Sequence, residues 1–205
     1  MVRSCAMGVL EDVLSLAGEH CDLEQRVKSV PPSAMVRGVL FRNIDSRLAG
    51  AGKQAQYREL IGGRQFSALR FYPATEYLQC LVAGGAVLAS PEDVHRGMEE
   101  IGRRNATAVS ESLLGRTLLR LLSPNPERLL QQGVAARRQT CRYGKWELDL
   151  PEPGCAEMRF TNEYVWIESN LIGAARGAFE CVGIDADIQY ELDGPFSGVH
   201  RLSWS

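Results

Sequence analysis

The polar and apolar positions of this chain change period once, near residue 140. Upstream, apolar residues recur every three or four positions, the spacing of one helix face; downstream they alternate. The upstream half predicts a helix over residues 4–18, with Val9, Leu10, Val13, Leu14 and Leu16 among charged neighbours. After Pro31-Pro32, Ser33 is expected to N-cap a helix whose apolar face is Met35, Val36, Val39, Leu40 and Ile44, broken at Gly50-Ala51-Gly52. Tyr57 to Ile61 reads as a short helix stopped by Gly62-Gly63. Tyr72-Pro73 then opens a helix carried by Tyr77, Leu78, Leu81, Val82, Ala86 and Leu88. It is apolar almost all round and so predicts a central, closely packed element. Ser90-Pro91-Glu92-Asp93 combines an N-cap, a proline at the first helical position and acids in the first turn, starting a helix to about Arg103. Further helices are expected over Ala106–Leu122 and from Pro126 to about Arg137.

Past Thr140, Trp146, Leu148 and Leu150 alternate with Lys145, Glu147 and Asp149. Ala156, Met158 and Phe160 do so with Glu157, Arg159 and Thr161. The two runs make a hairpin around Pro151-Glu152-Pro153-Gly154. Leu171, Ala175, Ala178, Phe179 and Val182 return to helical spacing from Glu168, and Gly183 supplies the stop. Ala186, Ile188, Tyr190 and Leu192 then alternate with acids and Gln189. Asp193-Gly194-Pro195 turns the chain, and His200, Leu202 and Trp204 return. The expectation is an α+β chain: N-terminal helices packed on a four-stranded antiparallel sheet, with a ββαββ C-terminal half. It reads as a single domain over 1–205, helical over about 1–138 and sheet-forming over about 139–205.

Totals narrow the function classes. A net charge of −2 over 205 residues excludes general affinity for nucleic acid. No apolar run approaches the roughly 20 residues of a membrane helix, so no membrane span is expected. Glu11 and Asp12 interrupt the N-terminal apolar stretch, against a signal peptide. Six cysteines are spread singly, without a Cys-x-x-Cys pair, and read as reduced thiols in a cytoplasmic protein.

Chemical motifs are few. Gly52-Lys53 fails as a phosphate loop, because Arg47 stands where its first glycine belongs and Gln54 where its Ser or Thr belongs. His20, His95 and His200 are far apart, and no serine sits in a Gly-x-Ser-x-Gly elbow. No catalytic, metal or cofactor-binding residue is assigned, and no cofactor is expected. Cys80, in Leu78-Gln79-Cys80-Leu81, is a packed core thiol or one opening into an apolar pocket. Gly84, Gly173 and Gly177 mark close backbone packing, within the domain or at an interface. Arg103-Arg104 and Arg137-Arg138 stand at helix ends, where the helix dipole accounts for them.

Val30-Pro31-Pro32-Ser33-Ala34-Met35-Val36-Arg37-Gly38, Tyr72-Pro73-Ala74-Thr75-Glu76-Tyr77, Leu113-Leu114-Gly115-Arg116 and the Gly173…Gly177 helix with its hairpin resemble an uncharacterised family described chiefly from myxobacteria. The resemblance runs from about Leu23 to Trp204 and implies no established activity. The helix-then-hairpin ending is more distantly similar to a superfamily holding four-vinyl-reductase-type domains, TRAPP subunits and haem nitric-oxide-binding domains. That resemblance implies helices on a four-stranded antiparallel sheet, frequently dimeric, with an apolar cavity or a partner surface. Its functional residues do not carry over. The last two strands hold no cysteine, the Tyr-x-Ser-x-Arg motif of the haem branch is missing, and Cys80 alone answers, loosely, to an acylated TRAPP cysteine.

The function expected is therefore a non-enzymatic binding module, a sensor or adaptor, for a small apolar ligand or a protein partner, as a homodimer. The alternatives are an enzyme whose site assembles only in three dimensions, for instance from Glu157, Arg159 and His200, and a purely structural interaction domain.

Overall fold

The computed structural model describes residues 2–111 and 125–205. The expected helix over Ala106–Leu122 lies outside them past residue 111. The chain divides into two compact units, Met1–Ile101 and Gly102–Ser205.

The first unit is helical. It holds α1 (Val2–Glu19), α2 (Leu23–Ser29), α3 (Gly38–Gly50), α4 (Gln54–Leu60), α5 (Ala74–Leu88) and the start of α6 (Val94–Glu111). As its all-round apolarity requires, α5 is central and packs against α1, α2, α3 and α4. Leu78, Leu81, Val82 and Ala83 are fully buried, with Phe41, Ile44 and Leu48 of α3 beside them in the core. Lys53, rejected as a phosphate-loop lysine, donates from Nζ to the carbonyls of Val87 (2.7 Å) and Leu88 (3.0 Å), closing the C-terminus of α5.

Two expected helix starts move: α6 begins at Val94, past the Ser90-Pro91 start, and α3 moves as well. Met35–Arg37 is a strand, β1, paired antiparallel with β2 (Phe71–Pro73), so Ser33 caps nothing and α3 begins at Gly38. Helical spacing is visible in sequence, but partners for the first N–H groups are not. Gly38 N donates to Arg70 O (2.8 Å) and Val39 N to Ala68 O (3.2 Å), carbonyls some thirty residues downstream.

The second unit holds the rest of α6, then α7 (Pro126–Thr140), β3 (Lys145–Asp149), β4 (Cys155–Thr161), a π-helical turn (Ile167–Leu171), α8 (Ile172–Val182), β5 (Ala186–Gly194) and β6 (Ser197–Trp204). The four strands form one antiparallel sheet in the order β3-β4-β6-β5, the expected ββαββ arrangement. Trp146 pairs with Phe160, Met158 with His200, and His200 with Tyr190, so the apolar side chains share one face. Phe179 of α8 meets Trp204 at 5.5 Å between centroids, beside Ala186 in the register. Farther along β5 that cover is lost. Tyr190 and Leu192 keep the predicted alternation yet are 52% and 43% exposed, because β5 is an edge strand and α8 ends over its start.

A close helix crossing lies between α5 and α6. A methyl group on Gly97 would sit 2.1 Å from the Gly85 carbonyl oxygen, so the two backbones touch only because both positions lack a side chain. Gly133, inside α7, has ordinary helical φ and nothing within 4 Å of such a methyl group. Gly97→Ala is expected to lower stability by about 1–3 kcal/mol through overpacking. Gly133→Ala is expected to raise it by about 0.5–1 kcal/mol. Urea unfolding midpoints of the two variants, moving in opposite directions from wild type, check both.

Candidate functional site

Cys80 lies inside α5, 5% exposed, next to the Tyr57 hydroxyl, which is itself buried. Burial pushes the thiol up to about 12, so it holds no thiolate at neutral pH, the form that attacks an acyl group or binds a metal. Gly84 faces α3, where a methyl group would reach Ile44 Cγ2 at 2.7 Å. A methyl group on Gly177 would meet the Arg103 carbonyl oxygen at 2.5 Å, and Gly173 is buried in the first turn of α8. These contacts lie within one unit or the other.

Glu157, Arg159 and His200 do not converge. His200 pairs with Met158 and faces the buried side of the sheet at 1% exposure, whereas Glu157 and Arg159 project from the other side. Arg201 takes the histidine's place there, reaching Glu157 Oε1 at 3.3 Å and Glu191 Oε2 at 2.8 Å in exposed ion pairs of little energetic weight. The His200 ring is instead closed into the core, Nε2–H donating to Ile167 O at 2.9 Å and the ring packed edge-on against Phe160 at 4.7 Å. Desolvation lowers its pKa to about 4. His95 stands in the first turn of α6, its Nε2 3.1 Å from the His20 carbonyl. Among the described residues no group of three or more His, Cys, Asp or Glu could hold a metal ion.

Glu163 belongs to no motif, and residue spacing does not single it out. It follows Asn162, a non-glycine residue at φ 51°, and its carboxylate is fully buried. Arg137, in the last turn of α7, donates to Oε2 through Nε (3.1 Å) and Nη2 (2.7 Å). Trp146 Nε1 donates to the same oxygen at 2.7 Å, and Val165 N donates to Oε1 at 3.1 Å. Four hydrogen bonds thus replace the carboxylate's hydration, the condition for a charge to sit in a core. The Arg137 guanidinium also lies 4.4 Å over the Tyr143 ring and 5.4 Å from that of Trp146. One signal in the sequence does point to Glu163: it is a single acid opening the run Tyr164-Val165-Trp166-Ile167, all of which is buried.

Above this network lies a half-open cavity of about 280 Å³, lined by Arg137, Arg138, Cys141, Arg142, Tyr143, Gly144, Lys145 and Trp146. Its turn is tight. Gly144 has φ 63°, and a side chain there would meet the Asn162 carbonyl at 2.7 Å. The lining offers charge, aromatic faces and hydrogen-bond donors, but no carboxylate or histidine to serve as a general base.

A family model described as "Protein of unknown function (DUF2378)" matches residues 29–205. No curated protein matches the sequence. Among solved structures, the Fe(II) unliganded H-NOX protein from K. algicida superposes with a TM-score of 0.65 at 13% identity, over 82% of this chain and 96% of that one. The H-NOX protein from S. oneidensis in the Fe(II)NO state gives 0.63 at 10% identity, over 82% and 99%. An oxygen-binding H-NOX domain related to soluble guanylate cyclases gives 0.56 at 15%, over 82% and 95%. At these identities the likeness is one of fold.

Two outcomes test the buried groups. Glu163→Ala strands Arg137 without its counter-ion and is expected to cost about 3–5 kcal/mol in urea unfolding, with Glu163→Gln costing less. His200, neutral when folded, binds its proton more readily in the unfolded chain, whose value is near 6.5. Its contribution is therefore complete above that value and is lost as pH falls from about 6.5 to about 4. The loss totals about 3 kcal/mol. In His200→Gln the unfolding free energy should fall less steeply across this window than in wild type.

Proposed function

The chain belongs to the DUF2378 family of proteins of unknown function, and from that premise we propose that it is a non-enzymatic binding module, a sensor or adaptor, on an H-NOX-like fold. The observation that carries this reading is the cavity at the end of α7, which presents recognition groups without a carboxylate or histidine and, among the described residues, without a clustered metal-ligand set.

Haem is the group the H-NOX likeness brings with it, and the residues present do not fit it. An axial ligand is His, Cys thiolate, Met or Tyr. Of the three histidines, His200 spends its Nε2 on a core carbonyl, and half-buried His95 stands in the first turn of α6 with its Nε2 at the His20 carbonyl. His20 lies in the turn after α1. Cys80 stays protonated, and the sequence lacks Tyr-x-Ser-x-Arg. The plan of the fold is kept and the ligand is different. The small apolar ligand expected from sequence gives way in this proposal to one matched to a cationic cavity.

The homodimer, the cytoplasmic setting and the myxobacterial distribution of the family belong to the same proposal. The exposed Tyr190 and Leu192 on edge strand β5 are what a second copy would cover. Among the described residues no helix is long and apolar enough to cross a membrane.

Native mass spectrometry of the purified full chain is expected to give a dimer mass carrying a small molecule. A bare monomer overturns the reading. Stoichiometric haemin is expected to leave its free absorption spectrum unchanged, and a sharpened, shifted Soret band would restore haem as the ligand.

A further inference from the structure

We propose that the cavity at the end of α7 is an anion subsite that binds the dianionic phosphate of a small phosphomonoester. This rests on the binding-module reading and names its ligand class. The lining holds four cationic side chains, Arg137, Arg138, Arg142 and Lys145, and no carboxylate. Arg137 is paired with the buried Glu163, and Lys145 with Glu147 at 2.6 Å along β3. Arg138 makes no ion pair among the described residues.

Helix-dipole compensation explains Arg137 and Arg138, which lie in the last turn of α7, but not Arg142 and Lys145, which lie beyond it. Two carbonyls near the end of that helix take donors from its last residues. Thr140 Oγ1 donates to Ala136 O (2.9 Å) and Arg137 O (3.3 Å), and Cys141 N donates to Arg137 O (3.0 Å).

The framework is held in place before any ligand arrives. Arg137 is clamped between Glu163 and the Tyr143 ring, and the Gly144 turn lies against the end of β4. A cavity of about 280 Å³ admits a small molecule and not a polymer. Arginine forks match phosphate oxygens, and a phosphomonoester carries a charge of about −2 with three acceptor oxygens. Tyr143 and Trp146 supply aromatic surface for its organic part.

The experiment is calorimetric titration of the full chain with three probes: phenyl phosphate, inorganic phosphate and phenol. Phenyl phosphate should bind saturably, inorganic phosphate more weakly and phenol not at all. The exposed pair Arg138→Gln/Arg142→Gln, in a variant that still melts cooperatively, should weaken phenyl phosphate by about tenfold or more, the cost of losing a charge-assisted hydrogen bond. Inorganic phosphate binding as tightly as phenyl phosphate would assign the site to free phosphate and overturn the phosphomonoester. Phenyl phosphate that fails to saturate at millimolar concentration, or binds the double variant equally well, overturns the anion subsite. The binding-module reading fails separately, on a native mass spectrum without bound mass; an uncharged co-purifying molecule would sink the phosphate proposal and leave the module standing.

Discussion

In the second unit, one buried carboxylate ties together pieces that the chain delivers from four places. Glu163 accepts from Arg137 at the end of α7, from Trp146 on β3 and from the backbone of Val165, while its own N–H donates to Phe196 O in the turn before β6. A charge with no solvent around it tolerates few geometries, because each lost donor leaves an uncompensated lone pair in low dielectric. That constraint fixes where α7 ends against the sheet, and with it the position of every side chain around the cavity. The aromatic sandwich of Arg137 follows from the same requirement.

The first unit depends on steric rather than electrostatic demands. α5 is buried on nearly every side, so its neighbours are set by how closely their backbones approach. The Gly85–Gly97 contact brings α6 to its minimum distance, and Ile44 fills the notch at Gly84. The short β1–β2 pair acts locally. Its ladder holds the chain on either side of the Arg70 and Ala68 carbonyls, which take the first N–H groups of α3 where no side chain caps them.

A fold shared with H-NOX proteins does not carry a ligand with it, since the sheet and its helices are specified by burial and the ligand by a few projecting groups. Here the buried histidine is used as a core hydrogen-bond donor and the buried thiol as packing volume, while cationic side chains collect at the mouth of the α7–β3 turn.

The ββαββ order, the face each strand buries and the central place of α5 were legible from residue spacing, because those features follow from local periods of two and of 3.6. Gly183 as a helix stop and Gly62-Gly63 as a break were legible too, and all three adopt positive φ. What spacing could not contain were pairings between distant segments. Residues 35–37 carry a helical pattern and become a strand because Phe71–Pro73 lies opposite. His200 looked available beside Arg159 until the register put them on opposite faces. Glu163, 26 residues from Arg137 and 17 from Trp146, looked like one more loop acid. Alternation records which face a residue takes, whereas the partners that neutralise a charge or satisfy a ring nitrogen are chosen only when the chain closes on itself.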